Sequence, residues 1–147
     1  MSGSAPRAPA SILFLCGRNS VRSPMAEALA RAMLGPNIWI ASAGISPGAR
    51  DPFVDSVLSE IGLGVAAGRP QGLDGLEDYN FDLAVTLSPE AHHRALELTR
   101  TTAIEVEYWP TPDPTLASGS REQILSAYRD LRERLKRRIA SRFIGAD

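Results

Sequence analysis

Cysteine is nearly absent: Cys16 is the only one in 147 residues. That excludes an intrachain disulfide framework and a multi-cysteine metal site, and makes a cytoplasmic setting the simplest expectation. Histidine is almost as scarce. His92 and His93 are adjacent, cannot face one metal from a regular helix and have no carboxylate cluster beside them, so they read as helix-surface residues and no metal site is expected. Net charge is only -1, so no bulk field points to nucleic acid or to an acidic membrane surface. Long apolar runs are missing too. Nothing approaches a membrane span, and Ile12-Leu13-Phe14-Leu15 is too short for a signal peptide.

What is present is ordinary for a globular chain, with 44% hydrophobic and 22% charged residues. Residues 1–10, small, polar and proline-containing, read as a disordered tail before one domain spanning 11–147.

Short apolar runs alternate with longer amphipathic ones. Strands are predicted over Ser11–Leu15, Asn37–Ala43, Phe81–Leu87 and Ile104–Trp109. Helices are predicted over Pro24–Leu34, with Ser23 as cap and Gly35-Pro36 as stop, over Asp51–Ile61 and over Pro89–Thr99. A short helix is expected at Leu73–Tyr79. The last helix opens on the capping box Ser120-Arg121-Glu122-Gln123 and runs to about Arg142, with Ile124, Tyr128, Leu131, Leu135 and Ile139 as its buried stripe. Its Arg129, Arg132, Arg134, Lys136, Arg137 and Arg138 are expected to form a solvated basic face, with an acidic partner as the other reading. Trp39 and Trp109 are expected in the core. The pattern implies an α/β fold of three layers, a four-stranded parallel sheet with helices on both faces. Ligands of such sheets bind beyond the carboxyl ends of the strands.

The chemistry concentrates there. Cys16 ends the first strand, and Cys16-Gly17-Arg18-Asn19-Ser20-Val21-Arg22-Ser23 leads into a helix. A turn of this length feeding a helix start can aim several backbone N–H groups at one anion. Arg22 can hold two oxygens of a tetrahedral anion in its planar fork, and the same positive field favours a thiolate nucleophile. Ser23 can donate to that sulfur, cap the helix, or do both.

A leaving alkoxide or phenolate needs a proton, and water must later be activated. Asp113, between Pro112 and Pro114 past the fourth strand, is the candidate. In a strand order of 2-1-3-4 it starts about 10 Å from the first strand, within reach of its loop.

The loop, the following Pro24-Met25-Ala26-Glu27-Ala28, Ser42-Ala43-Gly44 and Asp113-Pro114 together resemble the low-molecular-weight protein tyrosine phosphatases. Thioredoxin-linked arsenate reductases share that fold. The resemblance covers Ser11 to Phe143. It implies strand order 2-1-3-4, Cys16 as nucleophile, Arg22 as clamp and Asp113 as general acid and base, with no cofactor. It also implies a hydrogen-bond network of Asn19, Ser23 and Ser42 that shapes the loop.

Departures from the family pattern separate the readings. Arg18 stands where glycine is common, Val21 replaces a protective second cysteine, and Gly68 falls at a network histidine. Ser88 occupies the slot of the reductases' relay cysteine, which blocks an intramolecular arsenate-reducing cycle. Thr115 and Leu116 replace the aromatics that often follow the Asp-Pro pair. The expectation is a phosphomonoester hydrolase working through phosphocysteine on a phosphorylated protein or small phosphomonoester. The alternatives are a non-catalytic oxyanion-binding module and an arsenate reductase using one protein cysteine. Receiver domains need an acidic cluster after the first strand, and nucleotide-binding folds need glycine fingerprints; neither is present.

Overall fold

The computed structural model describes residues 9–17, 21–46, 48–65, 71–73 and 80–145. Strands β1 (Ser11–Cys16), β2 (Trp39–Gly44), β3 (Leu83–Thr86) and β4 (Glu105–Tyr108) form one parallel sheet in the order β2-β1-β3-β4. Helices α1 (Arg22–Leu34), α2 (Pro52–Ser59), α3 (Pro89–Leu98) and α4 (Arg121–Ile139) alternate with the strands, and the chain continues into a π turn, Ala140–Ile144. The predicted order and layers are those observed.

β1 is buried along its whole length because both of its faces are covered. Ile12, Phe14 and Cys16 face the cluster built with α1, α2 and α4, whereas Leu13 and Leu15 face the smaller cluster under α3. Two-residue periodicity thus divides the strand between two cores. The sheet's hydrogen bonds begin before Ser11: Ala10 donates to Asp82 Oδ2 at 2.7 Å and accepts from Trp39 N at 3.0 Å. The rest of the predicted tail, residues 1–8, lies outside the described residues, as do 74–79 of the predicted short helix.

Several expectations need correcting. Trp39, which starts the edge strand β2, is 47% exposed, and its ring stacks on Phe81 at 4.2 Å. Trp109 is in the core, edge-on to Phe14. In α4 the buried stripe runs Leu125, Tyr128, Leu131, Leu135, Ile139; Ile124 is only partly buried. The capping box of Ser120 and Gln123 is present. The basic face of α4 is only partly solvated. Arg129 and Arg132 both clamp Glu60 at the end of α2, and Arg138 lies over the Trp109 ring. His92 is also less free than expected, stacked on Tyr108 with Nδ1 3.1 Å from Thr86 Oγ1. Among the described residues, no helix is long and apolar enough to cross a membrane, and no group of three His, Cys, Asp or Glu could hold a metal ion.

Candidate active site

The sheet's hydrogen bonding runs past the strand ends and gathers the loops at one edge. Ile45 N donates to Cys16 O and Ser46 N to Gly17 O, while Leu87 N donates to Leu15 O and Trp109 N to Thr86 O. Cys16 therefore sits between the segments leaving β2 and β3, at the carboxyl edge where the α/β rule places ligands.

α1 starts two residues earlier than predicted. Val21 precedes it without a side-chain cap, Arg22 and Ser23 already lie in the first turn, and Pro24 is accommodated because first-turn N–H groups have no intrahelical partner. Ser23 is thus no cap. Its hydroxyl, fully buried, lies 3.0 Å from Cys16 Sγ and donates to Ala43 O at 3.3 Å. The hydroxyl has one proton. While it goes to Ala43 O, the neutral thiol donates to Ser23; loss of the thiol proton lets the hydroxyl turn to the thiolate.

Arg22 reaches across the site. Its Nη1 donates to Leu87 O at 3.3 Å and to Thr111 O at 3.0 Å, which leaves the Nε and Nη2 N–H groups for an anion. Asp113 is half-buried, and its Oδ1 accepts from Thr115 N at 3.0 Å and from Thr115 Oγ1 at 2.6 Å, capping the 3-10 turn Pro114–Leu116. Val21, before Arg22, and Pro114, after Asp113, line the same cleft of about 570 Å³. Asp51, Phe53, Ile124 and Tyr128 form other walls. Gly17 lies buried beneath the Glu90 carboxylate, which a side chain at position 17 would strike. Arg18, Asn19 and Ser20 lie outside the described residues.

Ser42 departs from its expected role. Its hydroxyl donates to Glu27 Oε1 at 2.5 Å, and its carbonyl accepts from Gln71. Glu27, buried in α1, also pairs with Arg31 at 2.7 Å. Ser42 therefore fastens β2 to α1 behind the loop. Ser88, in the relay-cysteine slot, is buried and caps α3 through Ala91 N.

Sequence reasoning missed Glu27, Thr111 and Tyr128. A carboxylate on the apolar side of α1 and a lone threonine between Pro110 and Pro112 were available signals. Tyr128 gave none, since a tyrosine in a buried stripe looks like core. Its hydroxyl donates to Asp51 Oδ2 at 2.7 Å, and Asp51 also caps α2 through Phe53 N.

Known proteins resemble the chain in sequence and in fold. The arsenate reductase of Bacillus subtilis is 30% identical over 128 residues, 87% of this chain and 91% of the relative. That of Halalkalibacterium halodurans is 31% identical over 130 residues, again 87% and 91%. Among solved structures, the tyrosine phosphatase amsI of Erwinia amylovora superposes with a TM-score of 0.74 at 22% identity, covering 98% of this chain and 96% of that one. The tyrosine phosphatase Wzb of Escherichia coli K30, solved with sulphate, gives 0.72 at 24% identity, covering 90% and 97%. Residues 11–142 match the model of the low molecular weight phosphotyrosine protein phosphatases, from β1 through the cysteine loop to the π turn, and the chain belongs to that family.

Proposed function

We propose that the chain is a cysteine-dependent phosphomonoester hydrolase. The observation that carries this reading is the pairing of Cys16 with Ser23 at the start of α1, beside an arginine whose fork is braced by two carbonyls. Membership of the phosphatase family supports it. The loop N–H groups of residues 17–21 and Arg22 hold the phosphoryl oxygens. Cys16 Sγ attacks phosphorus, an S–P bond forms, the ester P–O bond breaks, and Asp113 gives its proton to the leaving oxygen. Water then attacks phosphorus and loses a proton to the Asp113 carboxylate. The S–P bond breaks to release inorganic phosphate and the thiolate, which the Ser23 hydroxyl stabilises. The substrate class is a phosphorylated protein or a small phosphomonoester, as the family's phosphatase chemistry supports. Leu116, 81% exposed after the Asp-Pro pair, offers no aromatic face for a phosphotyrosine ring. A cytoplasmic location suits a chain whose one cysteine must stay reduced.

A second reading is favoured by the names of the relatives at 30% identity, arsenate reductases. With no other cysteine in the chain, reduction of arsenate at Cys16 requires an external thiol as reductant. Hydrolysis of p-nitrophenyl phosphate separates the readings. Wild type is expected to turn over, Cys16→Ser to be inactive, and Asp113→Ala to lose most of kcat. Phosphate binding without turnover would leave only the binding module. Thiol-dependent arsenite release that survives Asp113→Ala would establish the reductase.

A further inference from the structure

Three contacts close a triangle at the carboxyl edge of the sheet. Arg22 Nη1 donates to Leu87 O at 3.3 Å and to Thr111 O at 3.0 Å, and the Thr111 hydroxyl donates to the same Leu87 oxygen at 3.2 Å. The segments leaving β1, β3 and β4 are thereby joined. Trp109 N, donating to Thr86 O at 2.8 Å, fixes the start of the last segment. Beyond it come Pro110, Thr111 and Pro112, and then Asp113. The prolines fix their own φ, and Pro112 keeps Thr111 extended, so this is a stiff strap with few internal freedoms. Neither proline has an N–H with which to tie itself down. Thr111 is the point at which the strap is held.

We propose that Thr111 is a positioning residue, whose hydroxyl sets where Asp113 stands relative to the guanidinium of Arg22. This rests on the phosphatase reading. Only Pro112 separates Thr111 from Asp113, and a stiff link transmits a shift at one end to the other. Thr111→Val keeps the shape and leaves the 111 carbonyl on Arg22. It removes only the attachment to Leu87, so it disturbs the acid while sparing the clamp.

The test reads leaving-group dependence in kcat/KM, which reports the first chemical step. A phenol close to tyrosine in acidity needs its proton as the ester bond breaks, whereas p-nitrophenolate departs readily without one. Thr111→Val is expected to lower kcat/KM for phenyl phosphate about tenfold, and for p-nitrophenyl phosphate less than about threefold, the scale of one lost neutral hydrogen bond. Competitive inhibition by inorganic phosphate should be unchanged, and Thr111→Ser should restore both substrates. In an Asp113→Ala background, Thr111→Val should have no further effect. Unchanged kinetics, equal losses on both substrates, or a loss persisting without Asp113 would each overturn the inference. Absence of turnover by wild type would overturn the phosphatase reading, and this inference with it.

Discussion

The Cys16 sulfur and the Ser23 hydroxyl, seven residues apart in the chain, meet at 3.0 Å in a buried contact. Their approach explains why Ser23 lies inside the first turn of α1 instead of capping it. The hydroxyl can serve Ala43 while the sulfur is protonated and turn to the sulfur once it is charged. Replacing Ser23 by alanine removes the hydroxyl that meets the Cys16 sulfur. Steady-state kinetics should show kcat reduced about 10- to 100-fold, the worth of a charge-assisted hydrogen bond, with KM little changed. A variant that keeps full kcat would remove Ser23 from the mechanism.

Tyr128 and Asp51 join α4 to the start of α2 across 77 residues of sequence. Burial, then the bond to Asp51, and then the charges of Asp51 and Asp113 push the Tyr128 phenol above its ordinary range. A pKa raised by folding contributes stability that is complete below the unfolded value, about 10, and is lost as pH rises through the folded one. Tyr128→Phe should cost about 1–2 kcal/mol in urea unfolding near neutral pH, the scale of one buried hydrogen bond. Its deficit relative to wild type should narrow above about pH 10, where unfolded wild type alone ionises.

Glu60 behaves in the opposite sense. Hydrogen bonds from Arg129 and then Arg132 hold its carboxyl down to about 2. A depressed carboxylate contributes stability above its unfolded pKa, about 4.3, and loses it as pH falls through the folded value. Glu60→Gln should therefore unfold at lower urea than wild type above about pH 5, and the two midpoints should converge as pH drops toward the folded value. A gap independent of pH over that window would show that charge has no part in the contact between α2 and α4.

Gly17 stands beneath the Glu90 carboxylate, and a Cβ there would collide with it. Glu90 is exposed at the start of α3 and can swing into solvent. Gly17→Ala should accordingly cost less than about 1 kcal/mol, with the cost vanishing in a Glu90→Ala background. A larger loss in both backgrounds would place the constraint in the loop backbone instead.

The alternation of strands and helices, the cysteine loop at the end of β1 and the Ser120 capping box were legible from sequence, because each depends on residues within a few positions of one another. Strand periodicity decides which β1 side chains point to which core, and Gly35 marks where α1 must end, whereas Pro24 put its start two residues late. Those local rules determined an α/β protein with one nucleophile at a helix start. They misplaced Trp39 because periodicity marks a residue as apolar-facing without showing whether anything covers that end of an edge strand. The family resemblance, in turn, assigned Ser42 to the loop network, although its hydroxyl donates to Glu27.

Only the tertiary structure decided how the site is held. Arg22 meets Leu87 and Thr111 across 65 and 89 residues, and Tyr128 meets Asp51 across 77. Such contacts form because the parallel sheet brings the carboxyl ends of β1, β3 and β4 side by side, at spacings the hydrogen-bond ladder sets. No pattern along the chain encodes them. Cys16 at a helix start is local information; the bracing of Arg22 and the path to Asp113 exist only once the strands have paired.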